Sequence, residues 1–275
     1  MPSKDSTMPI DKIIVGGASI TDSPWFTWAD FLGDESRINL TNLCRKGAGN
    51  EYIVSSIAKN VDLLDSNTLV VVMFTAIDKF DWYVEGKQFL ELQTEKHCPL
   101  AISSSSGFWS TGSWFPHKKE YYRDCYYTND YFCTKSIQQI LLLQTICNNA
   151  GAKLEILFDS PIWTHVEQET NIIGEQELRP ADFTHDFLSQ PLSKIWAKCL
   201  SLELQNIHNS SLIGFCWNQG LPWYNQHYCL HPPSGSHYQY YQAIVRPKLS
   251  KYLSLNPITD IDKKIKKFDE LWNDF

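Results

Sequence analysis

Residues 68–74, TLVVVMF, place an apolar or β-branched side chain at nearly every position. A strand with one wet face alternates apolar with polar residues, whereas this run has no face to show to water. It must be covered on both sides, which points to a parallel sheet held between helices. Four more short apolar runs repeat the theme: KIIVGG (12–17), RINLTNL (37–43), KLEILFD (153–159) and SSLIGFCW (210–217). Between and after them lie segments of helical spacing. They are PWFTWADFL (24–32, with Pro24 in its first turn), GNEYIVSSIAKN (49–60, with Asn50 as cap), SIQQILLLQTICNNAG (136–151), LSKIWAKCLSLELQ (192–205) and SHYQYYQAIVRPKLSKYL (236–253). The alternation predicts a single α/β domain over residues 1–275 with a five-stranded parallel sheet in a three-layer sandwich.

Two stretches break the alternation. Residues 79–135 form a long connection with few strand or helix signals and many aromatics, among them GFWSTGSWFPHKKEYYRDCYYTNDYFC. Residues 160–190 form a second, polar one. Connections of that length inside a compact domain are functional or carry small elements of their own. The tyrosines and tryptophans of the first could stack on sugar rings or an acyl group, or could form a small satellite core. A last helix is predicted at about 258–273. Its basic run, Lys263-Lys264-Ile265-Lys266-Lys267, alternates with Asp260, Asp262, Asp269 and Glu270 and reads as a solvated face.

A net charge of −7 over 275 residues argues against nucleic acid as a partner, because phosphate binding needs clustered cations. The polar start MPSKDSTMPIDK lacks a secretory leader, and the runs LVVVMFTAI and ILLL are too short to span a bilayer. A cytoplasmic location without membrane attachment is therefore expected. The eight cysteines (44, 98, 125, 133, 147, 199, 216 and 229) lack paired spacing and read as free thiols. The triplets Asn39-Leu40-Thr41 and Asn209-Ser210-Ser211 read as chance matches to the glycosylation pattern.

The first strand runs into IIVGGASITDSP, which sets Ser19 just past its carboxyl end. Sheets of this kind bind ligands beyond the carboxyl ends of their strands, where the strand order reverses. Near the other end of the chain stands YCLHPPSGSHYQYYQAIVRPKL (228–249), a His-Pro pair and a small turn leading into an amphipathic helix.

Together these blocks resemble the SGNH (GDSL) hydrolases, esterases and lipases with a flavodoxin-like three-layer fold. The resemblance runs from residue 12 to about 253. Gly17-Ala18-Ser19-Ile20-Thr21 stands where that family has its nucleophile block, and Asn42-Leu43-Cys44-Arg45-Lys46-Gly47-Ala48 matches the spacing of its oxyanion-hole glycine. The resemblance implies Ser19 as nucleophile, His231 as its base, and the N–H groups of Ser19 and Gly47 as the oxyanion hole. A serine hydroxyl needs a base within hydrogen-bond reach, and glycine permits the close backbone approach an oxyanion requires.

The match fails at two places. Ile77, in Thr75-Ala76-Ile77-Asp78, stands where the family has an oxyanion-hole Asn, and Tyr228 stands where it has the Asp that orients the His. Such losses cost about 10²–10³ and about 10⁴ in rate in well-studied enzymes. Candidate supports are Asp78, holding the neighbouring loop, and Asn225, Gln226 or a backbone carbonyl, orienting His231.

Plainer roles stand beside these. Ser19 could cap a turn, Gly47 and Gly49 could be ordinary turn residues, and Asp78 could make a local loop bond. His237 reads as structural. His227, Cys229, His231 and His237 lack zinc-site spacing, so no metal is expected, and no organic cofactor is implied. The expected activity is hydrolysis of a short acyl ester, such as O-acetyl on a carbohydrate, with a small-molecule or carbohydrate ester as partner. The alternatives are acyl transfer by the same serine, or a binding or structural protein that keeps the fold without the catalysis.

Overall fold

The computed structural model describes residues 9–76, 79–85, 100–103, 106–111, 129–160, 210–223 and 231–273. Its centre is a parallel sheet of four strands: β1 (Lys12–Gly16), β2 (Asn39–Asn42), β3 (Thr68–Phe74) and, after the insertion, β7 (Lys153–Phe158), in the order β2-β1-β3-β7. β3 is buried at every residue, as its two apolar faces require. In register, Ile14 sits beside Val70 and Val15 beside Val71. The period-two alternation of side chains therefore gives the sheet two apolar faces.

Ile14, Val70, Val72 and Phe74 pack against Ile53 and Ile57 of α2 (Asn50–Lys59) and Ile140 and Leu143 of α3 (Asn129–Ala150). On the opposite face, Ile13, Val15, Leu69, Val71 and Met73 meet Trp28, Phe31 and Leu32 of α1 (Trp28–Ser36). Leu212 and Cys216 of α4 (Leu212–Asn218) join them there, as do Tyr240, Tyr241, Val245 and Leu249 of the long helix α5 (residues 234–249). β1 leads outward to β2 through α1, and β2 then crosses back over β1 to β3 through α2. With right-handed crossovers these opposite directions put α1 and α2 on opposite faces and create an order reversal between β1 and β3.

α5 begins at Ser234–Tyr240, widens to a π turn at Tyr241–Val245 and closes at Arg246–Leu249. Pro247 lacks the N–H that would bond the carbonyl one turn back, and the wider turn lies where the ladder is interrupted. Beside that turn Glu35 of α1, only 1% exposed, accepts hydrogen bonds from Tyr241 Oη (3.0 Å), Gln242 Nε2 (3.2 Å) and Arg246 Nε (2.8 Å). Arg246→Met should leave this buried carboxylate short of its charged partner and lower stability by about 2 kcal/mol in urea unfolding. The last helix, α6 (Ile261–Asn273), packs on α5.

Three expectations are corrected. SSLIGFCW is not a fifth strand: Ser211 caps a helix there, its Oγ accepting from Gly214 N at 3.2 Å, and Leu212 and Cys216 share a buried face four residues apart. The periods of strand and helix are hard to tell apart in so short an apolar run.

Within 79–135, a stretch with few strand signals, stands a small antiparallel sheet. It consists of β4 (Phe80–Glu85), β5 (Leu100–Ser103) and β6 (Ser106–Thr111) in the order β4-β6-β5. Its FDWYVE and SGFWST segments are rich in strand-favouring residues whose pairing is local.

The third correction concerns caps. α1 starts at Trp28, with Thr27 rather than the Pro24 turn at its entry, and Asp30 accepts from the Thr27 N–H at 2.7 Å. α2 has Gly49 at its cap, and Asn50 lies inside its first turn. The helix expected at 192–205 lies outside the described residues. No described helix is long and apolar enough to cross a membrane.

Candidate active site

The carboxyl end of β1 turns sharply. Thr21 N and Asp22 N both donate to Ala18 O, at 2.9 and 3.1 Å, and Ser23 Oγ donates to Ser19 O at 2.6 Å. Thr21 hooks the turn to the sheet: its Oγ1 lies 3.6 Å from Met73 Sδ and accepts from Trp28 Nε1 at 3.3 Å. A Cβ at Gly17 would fall 2.5 Å from Thr21 Oγ1, so this turn closes only over a glycine. The strand-to-turn signal of the sequence therefore delivers a partly exposed Ser19 to the end of the sheet. It stands at the order reversal between β1 and β3.

The exit of β2 is tied to the same place. Leu43 N donates to Val15 O at 2.8 Å and Arg45 N to Gly17 O at 3.2 Å. In the turn that follows, Gly47 adopts φ +78°, a left-handed conformation that favours glycine, and no atom lies within 4 Å of where its Cβ would be. Cys44, buried beneath the turn, has its thiol held well above the usual range by desolvation and is an inert packing group.

His231 comes to this end of the sheet from the far end of the chain. Its ring meets Trp25 edge to face, with 6.2 Å between centroids, and Trp25 belongs to the loop that follows Ser19. Burial pushes the imidazole down to about 4, and the nearby charges of Lys79 and Lys46 push in the same direction. At neutral pH the ring is uncharged and can accept a proton. The turn of Ser19, the turn of Gly47 and His231 thus share one end of the sheet, but among the described residues Ser19 makes no side-chain hydrogen bond. Asp78, Asn225, Gln226, Ile77 and Tyr228 lie outside the described residues.

Several groups here escaped the sequence analysis. Asp159, at the end of β7, is 3% exposed and accepts from Ser160 Oγ at 2.7 Å. Desolvation raises its carboxyl above the usual range, opposed by Lys79 and by hydrogen bonding. The available signal was an acid directly after an apolar strand, in KLEILFD.

Asp81 of β4 accepts from Gly49 N (2.9 Å) and Tyr52 N (2.7 Å), and so caps α2 from the small sheet. Asn50 joins α2 to the end of β3, donating from Nδ2 to Thr75 O at 3.1 Å and accepting from Thr75 N at 2.9 Å. His237 is fully buried on α5, and neither ring nitrogen has a hydrogen-bond partner among the described residues. Burial and the neighbouring His231 push it down to about 3. Among the described residues no cluster of three or more His, Cys, Asp or Glu side chains could hold a metal.

No family model matches the chain, and no curated protein sequence matches it. Solved structures similar in backbone include the YxiM protein of Bacillus subtilis, at 10% identity and a TM-score of 0.44. That alignment covers 88% of this chain and 56% of the other, so the chain spans little more than half of that protein. Another is a member of the lipolytic G-D-S-L family from Veillonella parvula, at 11% identity and a TM-score of 0.42, covering 84% of this chain and 94% of the other.

Proposed function

We propose that this end of the sheet is an SGNH-like esterase site in which Ser19 is the nucleophile and His231 its base. The observation that carries the proposal is the convergence of two segments more than 200 residues apart, with the His231 ring resting on Trp25, six residues beyond Ser19. Ser19 Oγ would attack the acyl carbon of an ester while its proton passes to His231. The tetrahedral oxyanion would rest on the N–H groups of Ser19 and Gly47, where the open space at Gly47 leaves room for it. Collapse of the intermediate transfers the proton to the departing alkoxide and leaves an acyl-serine, which water then hydrolyses with the same base. The neutral state of His231 supports this role, since a charged imidazole could not accept the proton. The proposed substrate is a short acyl ester such as O-acetyl on a carbohydrate, in keeping with the aromatic-rich stretch at 79–135.

A second reading has its own observation. Lys46 and Lys79 disfavour the imidazolium that the transition state requires, which suits a binding protein of this architecture without turnover.

A fluorophosphonate probe separates the two. With catalysis, peptide mass spectrometry should find the probe on Ser19, and His231→Ala should abolish the adduct. An unlabelled Ser19, or equal labelling in His231→Ala, would refute the esterase site.

A further inference from the structure

We propose that helix α6 is a positioning element for His231, acting chiefly through Trp272; its relevance to turnover rests on the Ser19–His231 site proposed above. The segment His231-Pro232-Pro233 has every backbone carbonyl occupied. Trp272 Nε1 donates to His231 O at 2.7 Å, Trp25 Nε1 to Pro232 O at 2.8 Å, and His237 N to Pro233 O at 3.0 Å. The two prolines add fixed φ angles and have no N–H to bond elsewhere. A peptide whose carbonyl is held this way cannot rotate freely, so the Cα–Cβ direction of His231 is set from outside its own loop.

The helix that supplies Trp272 is itself fastened to both parts of the site. Asp269 Oδ1 accepts from Gly235 N at 3.2 Å, at the start of α5 and four residues beyond His231. Phe268 stacks on Phe26 at 5.0 Å, in the loop that follows Ser19, and Lys264 pairs with Asp34 of α1. One helix therefore spans the chain segment carrying the nucleophile and the one carrying the base. Proton transfer needs heavy atoms within about 2.6–3.2 Å, so a displacement of about 1 Å at His231 would be felt in the rate. If the indole only docked the helix, its loss would lower stability without changing the behaviour of His231.

The test uses the full chain and two variants, Trp272→Phe and Trp25→Phe, each of which keeps an aromatic ring and removes one N–H donor. Diethyl pyrocarbonate modifies accessible imidazole nitrogens, and mass spectrometry of the His231 peptide gives the rate. Releasing the loop should raise that rate at least about threefold. It should also lower kcat on p-nitrophenyl acetate about tenfold with KM within about twofold, because the loss is in alignment and not in binding. Melting should shift by only a few degrees, consistent with the loss of about one hydrogen bond. An unchanged His231 rate in Trp272→Phe overturns the proposal, even if turnover falls or Trp25→Phe, which also uncovers the ring, speeds the modification. A wild-type protein that neither hydrolyses the ester nor reacts with fluorophosphonate, yet shows the faster His231 modification in the variants, retains the positioning role and refutes the esterase site.

Discussion

Alanine at Ser19 is expected to lower kcat on a short acyl ester at least about 10³-fold, with the residual rate close to that of the ester in buffer. In free-energy terms this is about 4 kcal/mol of transition-state stabilisation, the share supplied by a nucleophile and base acting as a unit. His231→Ala should match it within about an order of magnitude, and the double variant should be no worse than either single one, because neither residue acts without the other.

The pH dependence is a sharper signature. An ordinary imidazole loses its proton near pH 6.5, but burial and the charges of Lys79 and Lys46 bring His231 down to about 4. The base form is therefore filled above about pH 4, and kcat/KM should rise through that pH and stay level across 5 to 7. Lys79→Met should move the rising limb upward, since removing a positive neighbour favours the protonated ring. A limb at pH 6.5 in the wild type, or activity that survives both alanine variants, would contradict the assigned base.

The same arrangement explains how much the chain disclosed of itself. β3 could be read at once because burial on both faces leaves a one-dimensional signature, seven residues without a polar face. The turns that carry Ser19 and Gly47 leave a local mark too: a backbone that must close over Thr21, or adopt a positive φ, needs glycine at a fixed position, here Gly17 and Gly47. Residues 210–217 mislead because eight apolar-rich residues fit either period, and the deciding feature is a serine hydroxyl reaching Gly214 N, a three-dimensional fact.

The groups that hold the site together were harder still to see. Asp81 caps α2 across 29 to 32 positions of sequence, and Trp272 reaches His231 across 41. Nothing in a single sequence marks one acid or one indole as the partner of a distant N–H or carbonyl. Asp159 is the intermediate case, since its place after a buried strand is visible but its desolvation is not.

His237→Leu is expected to reduce the acid sensitivity of the fold sharply. The imidazole is fully buried, both its nitrogens lack hydrogen bonds among the described residues, and burial together with the nearby His231 brings it down to about 3. The sign follows from proton counting. Below about pH 6.5 the unfolded chain binds a proton at His237 that the folded chain refuses, so stability falls as the pH is lowered until the folded ring titrates near 3. Over the full window the loss is about 5 kcal/mol, and between pH 7 and pH 4.5 it is about 3 kcal/mol, comparable to a large part of a domain's stability.

Leucine is close to histidine in volume and leaves no orphaned nitrogen, so it should also raise stability at pH 7 by about 1–2 kcal/mol. Other groups contribute to the total slope: His231 in the same direction, and the raised carboxyls of Asp159 and Asp269 in the opposite one. They remain in the variant, so the difference between the two urea-unfolding curves isolates position 237. If wild type and His237→Leu lose the same stability from pH 7 to 4.5, the ring is protonated or solvated in the fold, and its burial does not govern the acid response.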